Sequence, residues 1–285
     1  MQRIFLGDVQ GCADELDTLL DRAGAEFGEA FELWVVGDLI NRGPDNLRPL
    51  ARIRALVDAG RAHYVLGNHE LHLIRSWLGV RPLTPLDTFG DVLDSADVED
   101  WIDWLLRRPL VEAEILGDQH FAMVHASTHP DWSLDDLLGA ARRAEARLRG
   151  SRDGLRMLLA GDGSPEADVL GRLTRCRAVT PDGRWSAEPP LPPERAWHEA
   201  WSERGHTYGV VYGHWSLQGL HVGAGLRGLD TGCVHHGRGR DGALTAWVPD
   251  PSAARPFDAP DRAFWSTPAR RAYYAFRDGP DPGSV

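Results

Sequence analysis

The chain contains no lysine, so all 31 of its basic side chains are arginines. A Walker-type phosphate loop and Schiff-base catalysis both require an amine, and the sequence therefore excludes both. Any recognition of phosphate must use arginine, backbone amides or metal ions.

Cysteine is also scarce. Cys12, Cys176 and Cys233 are far apart in a chain of 285 residues, and there is no Cys-x-x-Cys pair. This pattern disfavours a thiolate zinc site or a disulfide scaffold and fits a reducing compartment. No apolar run is long enough to span a bilayer and no signal peptide is visible. We therefore expect a cytoplasmic protein with no membrane partner.

The charge balance is acidic, with a net charge of -11, while the apolar content of 42% is ordinary for a globular protein. An acidic surface disfavours broad binding to nucleic acids or anionic membranes. It does not exclude an anionic small-molecule ligand, because a local metal site can reverse the field. The oligomeric state stays open.

Five short apolar runs each end on a residue that can bind a metal through oxygen or nitrogen: Asp8, Asp38, Asn68, His125 and His214. Four of the five have glycine immediately before that residue. Such a run reads as a buried strand whose last residue enters a loop. Functional sites collect at the carboxyl ends of strands in layered sheets. Two carboxylates, an amide and two imidazoles meeting there would suit a pair of divalent metals.

The organisation along the chain indicates an α/β fold. Helical spacing follows each of the first three apolar runs, and this βαβαβα order predicts a largely parallel sheet. We expect one domain over residues 1–248, because a cut between the ligand-type residues would destroy the site. Insertions at 79–117 and 150–205 are expected to form the walls around that site. Residues 249–285 are expected to form a C-terminal extension.

Further elements are predicted from local signals. Ser133 resembles the start of a capping box for a helix that ends near Gly150. A short helix is expected at 195–204, with Trp197 and Trp201 one turn apart. The Pro- and Gly-rich stretch 161–193 predicts irregular structure, and residues 277–285 predict a flexible tail.

Several segments together resemble the metallophosphoesterase signature of the phosphoprotein-phosphatase superfamily. The signature-like segments are Gly7-Asp8-Val9-Gln10-Gly11, Gly37-Asp38-Leu39-Ile40-Asn41-Arg42-Gly43 and Gly67-Asn68-His69-Glu70. Matches that point to the symmetrical diadenosine tetraphosphate hydrolase branch are Leu105-Leu106-Arg107-Arg108-Pro109-Leu110, Val124-His125-Ala126, Gly213-His214-Trp215 and Leu229-Asp230-Thr231-Gly232-Cys233.

This resemblance implies a four-layer αββα sandwich with two divalent metal ions, of which Mn, Co or Fe are the expected identities. Asp8 would bind the first metal and Asp38 would bridge both. The second metal would be held by Asn68, His125 and His214. In this family a metal-bound hydroxide attacks phosphorus, and the substrate of the branch is a small dinucleotide that is cleaved to two ADP.

The resemblance also assigns roles outside the metal ligands. His69 corresponds to the general acid for the leaving oxygen, and Arg42 to the group that binds phosphate oxygens. Arg175 and Arg177 are further phosphate candidates, although a charged surface strand explains them about as well.

Two positions depart from the superfamily pattern. Gln10 stands where histidine is usual, and it would either bind the first metal or hold a metal-bound water. Asn41, a candidate for contact with substrate, stands where protein phosphatases have an aspartate that pairs with the residue corresponding to His69. Loss of that carboxylate should lower the imidazolium pKa, and it favours the nucleotide-hydrolase branch.

Two alternatives remain at this level. A Ser/Thr protein phosphatase or a broad phosphoesterase would share the same core. A catalytically silent phosphate-binding module is motivated by Gln10 and Asn41, but the retention of the other signature residues argues against it.

Overall fold

The computed structural model describes residues 1–258 and 263–273. Its strands are β1 (Gln2–Leu6), β2 (Phe31–Val35), β3 (Ala62–Tyr64), β4 (Val111–Leu116), β5 (Gln119–Val124), β6 (Ala178–Val179), β7 (Trp185–Ser186), β8 (Arg195–Ala196), β9 (Tyr208–Tyr212), β10 (His221–Gly223), β11 (Leu226–Gly228), β12 (Ala243–Trp247) and β13 (Phe264–Pro268). Its helices are α1 (Ala13–Phe27), α2 (Leu47–Asp58), α3 (Asn68–Trp77), α4 (Gly90–Leu93), α5 (Val98–Leu106), α6 (Leu134–Leu148), α7 (Arg152–Ala160), α8 (Pro165–Arg175) and α9 (Trp197–Ser202).

Two five-stranded sheets form the centre of the molecule. The first has the order β13-β12-β1-β2-β3, in which β1, β2 and β3 are parallel. The second has the order β10-β11-β9-β5-β4, in which β5 and β9 are parallel. Four of the five apolar runs lie mainly in strands, whereas β3 ends at Tyr64, the first residue of the third run. Within each sheet, the strands that precede the ligand-type residues run in the same direction. The predicted βαβαβα unit is confirmed.

The sheets pack face to face through an aromatic layer. Phe5 and Trp34 of the first sheet contact Phe121 of the second, with ring centroids 5.3 and 5.1 Å apart. The alternate residues Ile4 and Leu6 face the other way and join the helix-side core. This period-two alternation buries both faces of β1, and it explains why the strand is an unbroken apolar run. The α/β sandwich predicted for the fold is confirmed.

The helices cover the outer faces of the sheets. In α1 the buried Leu16 and Leu19 lie on one side, and in α2 Leu50 and Ile53 do the same. Helix α6 begins at the expected capping box, in which Ser133 Oγ accepts a hydrogen bond from the Asp136 amide at 3.2 Å. Across the described residues, no helix combines the length and apolar character needed to cross a membrane.

The structure corrects the interpretation of 161–193. This stretch contains α8 and two strands of a small sheet with the order β7-β6-β8. Helix α8 begins after Ser164, whose side chain caps it, with Pro165 at its first position. That Pro is compatible with a helix start, but the surrounding Pro and Gly residues hid the helical pattern.

Two further strands lie in the segments predicted as an insertion and as a C-terminal extension. Strand β4, within 79–117, pairs antiparallel with β5 in the second sheet. Strand β13, within 249–285, pairs with β12 at the edge of the first sheet. The predicted tail at 277–285 lies outside the described residues.

Candidate metal centre

Glycine lets the strand ends approach one another closely. A Cβ at Gly213 would lie 2.0 Å from Asp8 Oδ1, and one at Gly67 would lie 2.1 Å from Asp38 Oδ1. Any side chain at either position would displace a ligand-type carboxylate. At these two positions, glycine before the ligand-type residue is therefore required because there is no space for a Cβ, in addition to its part in forming the turn.

Three side chains form a tight buried group at these strand ends. The ligand-type atoms of Asp38, His125 and His214 all lie within 4.8 Å of one another. Asn68 completes the group, because its Oδ1 lies 2.9 Å from His125 Nε2 and 2.9 Å from His214 Nδ1. Four of the five predicted strand-end residues are thus brought together.

The ring orientations of the two histidines are fixed from outside the group. His125 Nδ1 donates to the Val36 carbonyl at 2.9 Å, and His214 Nε2 donates to the Arg175 carbonyl at 3.1 Å. In the neutral rings, the inner nitrogens therefore present lone pairs to Asn68 Oδ1. Acceptor atoms that face one another in a buried space favour a cation between them, and a backbone carbonyl behind a ring is a common arrangement for metal-binding histidines.

The electrostatics of the group also favour a cation. Burial opposes protonation of His125, but Asp38 outweighs it and raises the His125 pKa. Burial, together with the nearby Arg177 and His125, keeps the His214 pKa well below its ordinary value, so this ring is neutral. Asp38 therefore favours a positive charge next to it at His125. The neutral His214 ring can offer a nitrogen lone pair to a metal ion.

Asp8 lies beside the tight group. Both of its carboxylate oxygens accept from the His214 backbone amide, at 3.2 and 3.1 Å. Burial and the neighbouring Asp230 and Asp38 raise the Asp8 pKa well above its usual value. Burial also raises the Asp230 pKa, to about 6, and Asp230 Oδ2 has no hydrogen-bond partner among the described residues. Three buried carboxylates with an orphaned oxygen fit divalent cations.

Asp230 lies in a segment that resembles the family, but the resemblance assigns it no role. Its position beside Asp8 is the feature that sequence reasoning missed. The segment Leu229-Asp230-Thr231-Gly232 was the available signal, because it follows β11 as the other ligand-type residues follow their strands.

Gln10 is tied to the centre through its backbone. Its amide donates to the Asp38 carbonyl at 2.8 Å, and its own carbonyl accepts from Gly43 at 2.9 Å. The side chain is buried. Its role as a ligand stays a prediction.

Backbone strain is concentrated at the predicted site. Among the described residues, those other than glycine with positive φ are Gln10, Asp38, Asn41, Arg42 and His214. The sequence predicts all five as residues of the site. Non-glycine residues adopt this conformation only when the surroundings enforce it, and such strain clusters at functional sites.

Glu70 holds the Asp38 loop against α3. Its Oε2 accepts from the Asp38 and Gly67 amides, both at 3.0 Å, and its Oε1 accepts from the Leu39 amide at 2.8 Å. The carboxylate is fully buried, and burial followed by the charge of Asp38 raises its pKa to about 7. Glu70 therefore fixes the position of Asp38.

His69 is held in one neutral tautomer. Asn41 Oδ1 accepts from the Arg42 and Thr88 amides, so its Nδ2 must be the group that donates to His69 Nδ1 at 2.8 Å. The proton of His69 is consequently on Nε2, which lies 3.7 Å from Asp38 Oδ2. Burial lowers the His69 pKa to about 4, although Asp38 opposes the shift.

Asp87 joins the residues around His69 but was not found from the sequence. Its Oδ1 accepts from Arg42 Nη1 at 3.0 Å and from Asn41 Nδ2 at 2.9 Å. Its Oδ2 accepts from His72 Nε2 at 2.8 Å and from the amide and hydroxyl of Thr84. The side chain is 1% exposed. Asp87 thus orients both the arginine and the amide that contacts His69.

Replacing Asp87 by asparagine should impair catalysis by misplacing Arg42. The NH2 group of asparagine cannot accept a hydrogen bond. Where it replaces the oxygen that faces Arg42 and Asn41, these residues lose their acceptor. We expect kcat/KM for a phosphate substrate to fall about 10- to 100-fold, with a larger change in KM than in kcat. Steady-state kinetics measure this, and Asp94→Asn, an exposed aspartate nearby, is the control. Unchanged kinetics for the Asp87 variant would contradict the assignment.

The two further phosphate candidates have different positions. Arg175 contacts the centre through its carbonyl, which accepts from His214. Arg177 Nη1 donates to the Ala187 carbonyl at 2.6 Å, and its charge acts on His214. Neither lies on the charged surface strand considered from the sequence, since Arg175 ends α8 and Arg177 precedes β6.

Two of the cysteines lie close together in the fold although they are distant in sequence. The thiols of Cys12 and Cys233 and a carboxylate oxygen of Glu15 lie within 4.8 Å of one another, and all three residues are buried. Each cysteine is free. Burial and the neighbouring Cys233 raise the Cys12 pKa well above its usual value. The Cys12 thiol is therefore protonated at neutral pH and unreactive.

The comparisons with known proteins agree on one family. The calcineurin-like phosphoesterase model matches residues 1–175. A protein of Erwinia tasmaniensis named symmetrical bis(5'-nucleosyl)-tetraphosphatase is 36% identical over 257 residues, which cover 83% of this chain and 92% of that protein. A Ralstonia nicotianae protein of the same name is 37% identical over 250 residues, with coverages of 82% and 86%.

Solved structures show the same fold. One, provisionally described as a diadenosine tetraphosphatase, is 23% identical, covers 94% of this chain and 93% of its own, and superposes with a TM-score of 0.59. A protein serine/threonine phosphatase from Saccharomyces cerevisiae is 14% identical, with coverages of 100% and 84% and a TM-score of 0.55. At these identities the similarity concerns the fold alone.

Proposed function

The chain belongs to the calcineurin-like phosphoesterase family, and we propose that it hydrolyses diadenosine tetraphosphate at the centre of the phosphate chain to give two ADP. The buried group of Asp38, His125 and His214 around Asn68 Oδ1 carries the hydrolytic part of this proposal. The names of relatives that align over most of the chain support the choice of substrate.

Two sets of residues would hold the ions. Asn68, His125 and His214 would hold one ion, Asp8 with Gln10 would hold the other, and Asp38 would be shared by the two. Mn, Co or Fe suit these mixed oxygen and nitrogen donors. When bound, such ions lower the pKa of coordinated water and so supply hydroxide near neutral pH.

The other residues position the substrate and move the proton. Arg42, fixed by Asp87 and by the Leu86 carbonyl at 2.9 Å, would bind the phosphate oxygens near the scissile bond. His69 carries its proton on Nε2 in the neutral ring, and its imidazolium form would protonate the leaving ADP oxygen from that same atom. Asn41 keeps that tautomer in place through the 2.8 Å contact with Nδ1.

Metal removal should abolish activity reversibly. Protein treated with a chelator is expected to be inactive and to melt several degrees lower, because bound ions stabilise only the folded state. Addition of Mn²⁺, Co²⁺ or Fe²⁺ should restore both properties. Calorimetry and turnover assays on the same samples measure the two effects. Full activity in protein shown to be metal-free would contradict the proposal.

Product analysis tests the substrate and the position of cleavage. Diadenosine tetraphosphate should yield ADP as the sole nucleotide product by chromatography, whereas asymmetric cleavage would yield AMP and ATP. A phosphoserine peptide assayed in parallel should be a much poorer substrate. Release of phosphate from the peptide without ADP formation from the dinucleotide would instead identify a protein phosphatase. Turnover of neither substrate, nor of an aryl phosphate, with metals supplied would identify a binding module.

A further inference from the structure

A pocket of about 490 Å³ opens between α3, α7 and α8. Arg75 of α3, Arg81 of the following loop and Arg175 of α8 line it together with Trp185 of β7. None of the proposed metal ligands lines this pocket, so it is a separate cavity.

Two helices connect the pocket to the metal centre. Helix α3 begins at Asn68 and reaches Arg75 seven residues later, about 10 Å along the helix axis. Helix α8 ends at Arg175, whose carbonyl accepts from His214 Nε2 at 3.1 Å. A ligand that extends from the metals by a few phosphate groups could therefore reach the pocket.

The three arginines form a concentration of positive charge in an acidic protein. Burial lowers the Arg75 pKa to about 10, and Arg175 and Arg81 add to the shift by repulsion. Arg175 is affected in the same way, first by burial and then by Arg81. Over the described part of the chain, no carboxylate lies within ion-pair distance of these three side chains. Cations that repel one another and form no ion pair favour an anionic ligand, and Glu188 offsets only part of the repulsion at Arg175.

Trp185 provides a fixed aromatic surface in the same pocket. Its Nε1 donates to Asp168 Oδ1 at 2.8 Å, and the indole lies against Gly171, where a Cβ would come within 2.1 Å of Trp185 Cζ2. The ring is thus held at both its polar edge and its benzene edge. Aromatic rings of this kind stack on nucleobases, and neighbouring arginines bind the attached phosphates.

We infer that this pocket binds one adenosine-phosphate half of the dinucleotide while the centre of the phosphate chain lies at the metals. The arginines contact phosphate oxygens beyond the scissile bond, and Trp185 contacts the base. This inference rests on the proposed function and deepens it, because it assigns the residues that distinguish a dinucleotide from a simple phosphate ester.

The test compares two double variants that remove the same charge. Arg81→Gln/Arg175→Gln changes the pocket and keeps the Arg175 carbonyl that contacts His214. Arg142→Gln/Arg143→Gln changes two exposed arginines of α6 and is the matched control. For each protein, kcat/KM is measured for diadenosine tetraphosphate and for p-nitrophenyl phosphate, and the ratio of the two values is compared.

The inference predicts that this ratio falls at least about tenfold in the pocket variant and stays within about twofold of the wild type in the control. Trp185→Leu should lower the ratio by about tenfold through loss of base stacking. A ratio that is unchanged in the pocket variant, or equally reduced in the control, would overturn the inference.

A binding measurement separates this inference from the proposed function. If the unaltered protein forms no ADP from the dinucleotide, the proposed function is wrong, and ADP binding is then measured by calorimetry. Weaker ADP binding in the pocket variant than in the control supports the pocket as an adenosine-phosphate site. Equal binding in the two variants rejects it.

Discussion

Replacing Asp38 by asparagine is expected to lower kcat for the dinucleotide on the order of 1,000-fold or more and to reduce the number of bound metal ions. Asp38 is the carboxylate proposed to be shared by the two ions, and its Oδ2 is 3.4 Å from His125 Nε2. An amide cannot bridge two cations as a carboxylate does, so the ability to generate hydroxide near neutral pH should be lost. Elemental analysis and steady-state kinetics measure the two effects.

The stability of this variant distinguishes a metal defect from misfolding. Asparagine retains an oxygen that can accept the His69 backbone amide, which donates to Asp38 Oδ1 at 2.9 Å. The metal-free variant should therefore melt close to the metal-free wild type, while the rise in melting temperature on adding Mn²⁺ should largely disappear. Asp135→Asn, at an exposed position of α6, is the matched control. A variant with normal metal content and activity would show that Asp38 does not bridge ions.

Replacing His69 by glutamine should lower kcat by about 10²- to 10⁴-fold while leaving metal content unchanged. The Nε2 of His69 faces the centre, so the ring is placed to protonate a leaving oxygen from its imidazolium form. Phenyl phosphate has a more basic leaving oxygen than p-nitrophenyl phosphate. Its hydrolysis should consequently suffer the larger loss in the variant.

This comparison of leaving groups separates a proton donor from a structural residue. His120→Gln, an exposed histidine on β5, should change neither rate. Equal losses for both aryl phosphates, or a fall in bound metal, would show that His69 acts by supporting the neighbouring Asn68 rather than by donating a proton.

The sequence predicted the strand ends because their signals are local. An apolar run, a glycine and a ligand-type residue lie within five positions, as in Trp34-Val35-Val36-Gly37-Asp38, and parallel strands bring such ends to one edge. The contact of Asn68 with His125 and His214 joins the two sheets, so it depends also on how the sheets pack against each other. The metal-binding role of these residues stays a prediction.

Other parts of the site depend on contacts between distant segments. Asp87 is 45 residues from Arg42 and lies in a Pro-bordered loop, so no periodic pattern marks it. Asp230 becomes informative only when it is seen beside Asp8. The positive φ angles at Asn41 and His214 were not predictable either, because these side chains ordinarily favour negative φ and only the assembled loops enforce the strain.

The most direct test of the metal centre is anomalous X-ray scattering from crystals of the protein equilibrated with Mn²⁺. We expect two manganese peaks per chain, both within coordination distance of Asp38, one bound by Asn68, His125 and His214 and the other by Asp8. Peaks remote from Asp38, or none at a concentration of Mn²⁺ that supports full activity, would contradict it.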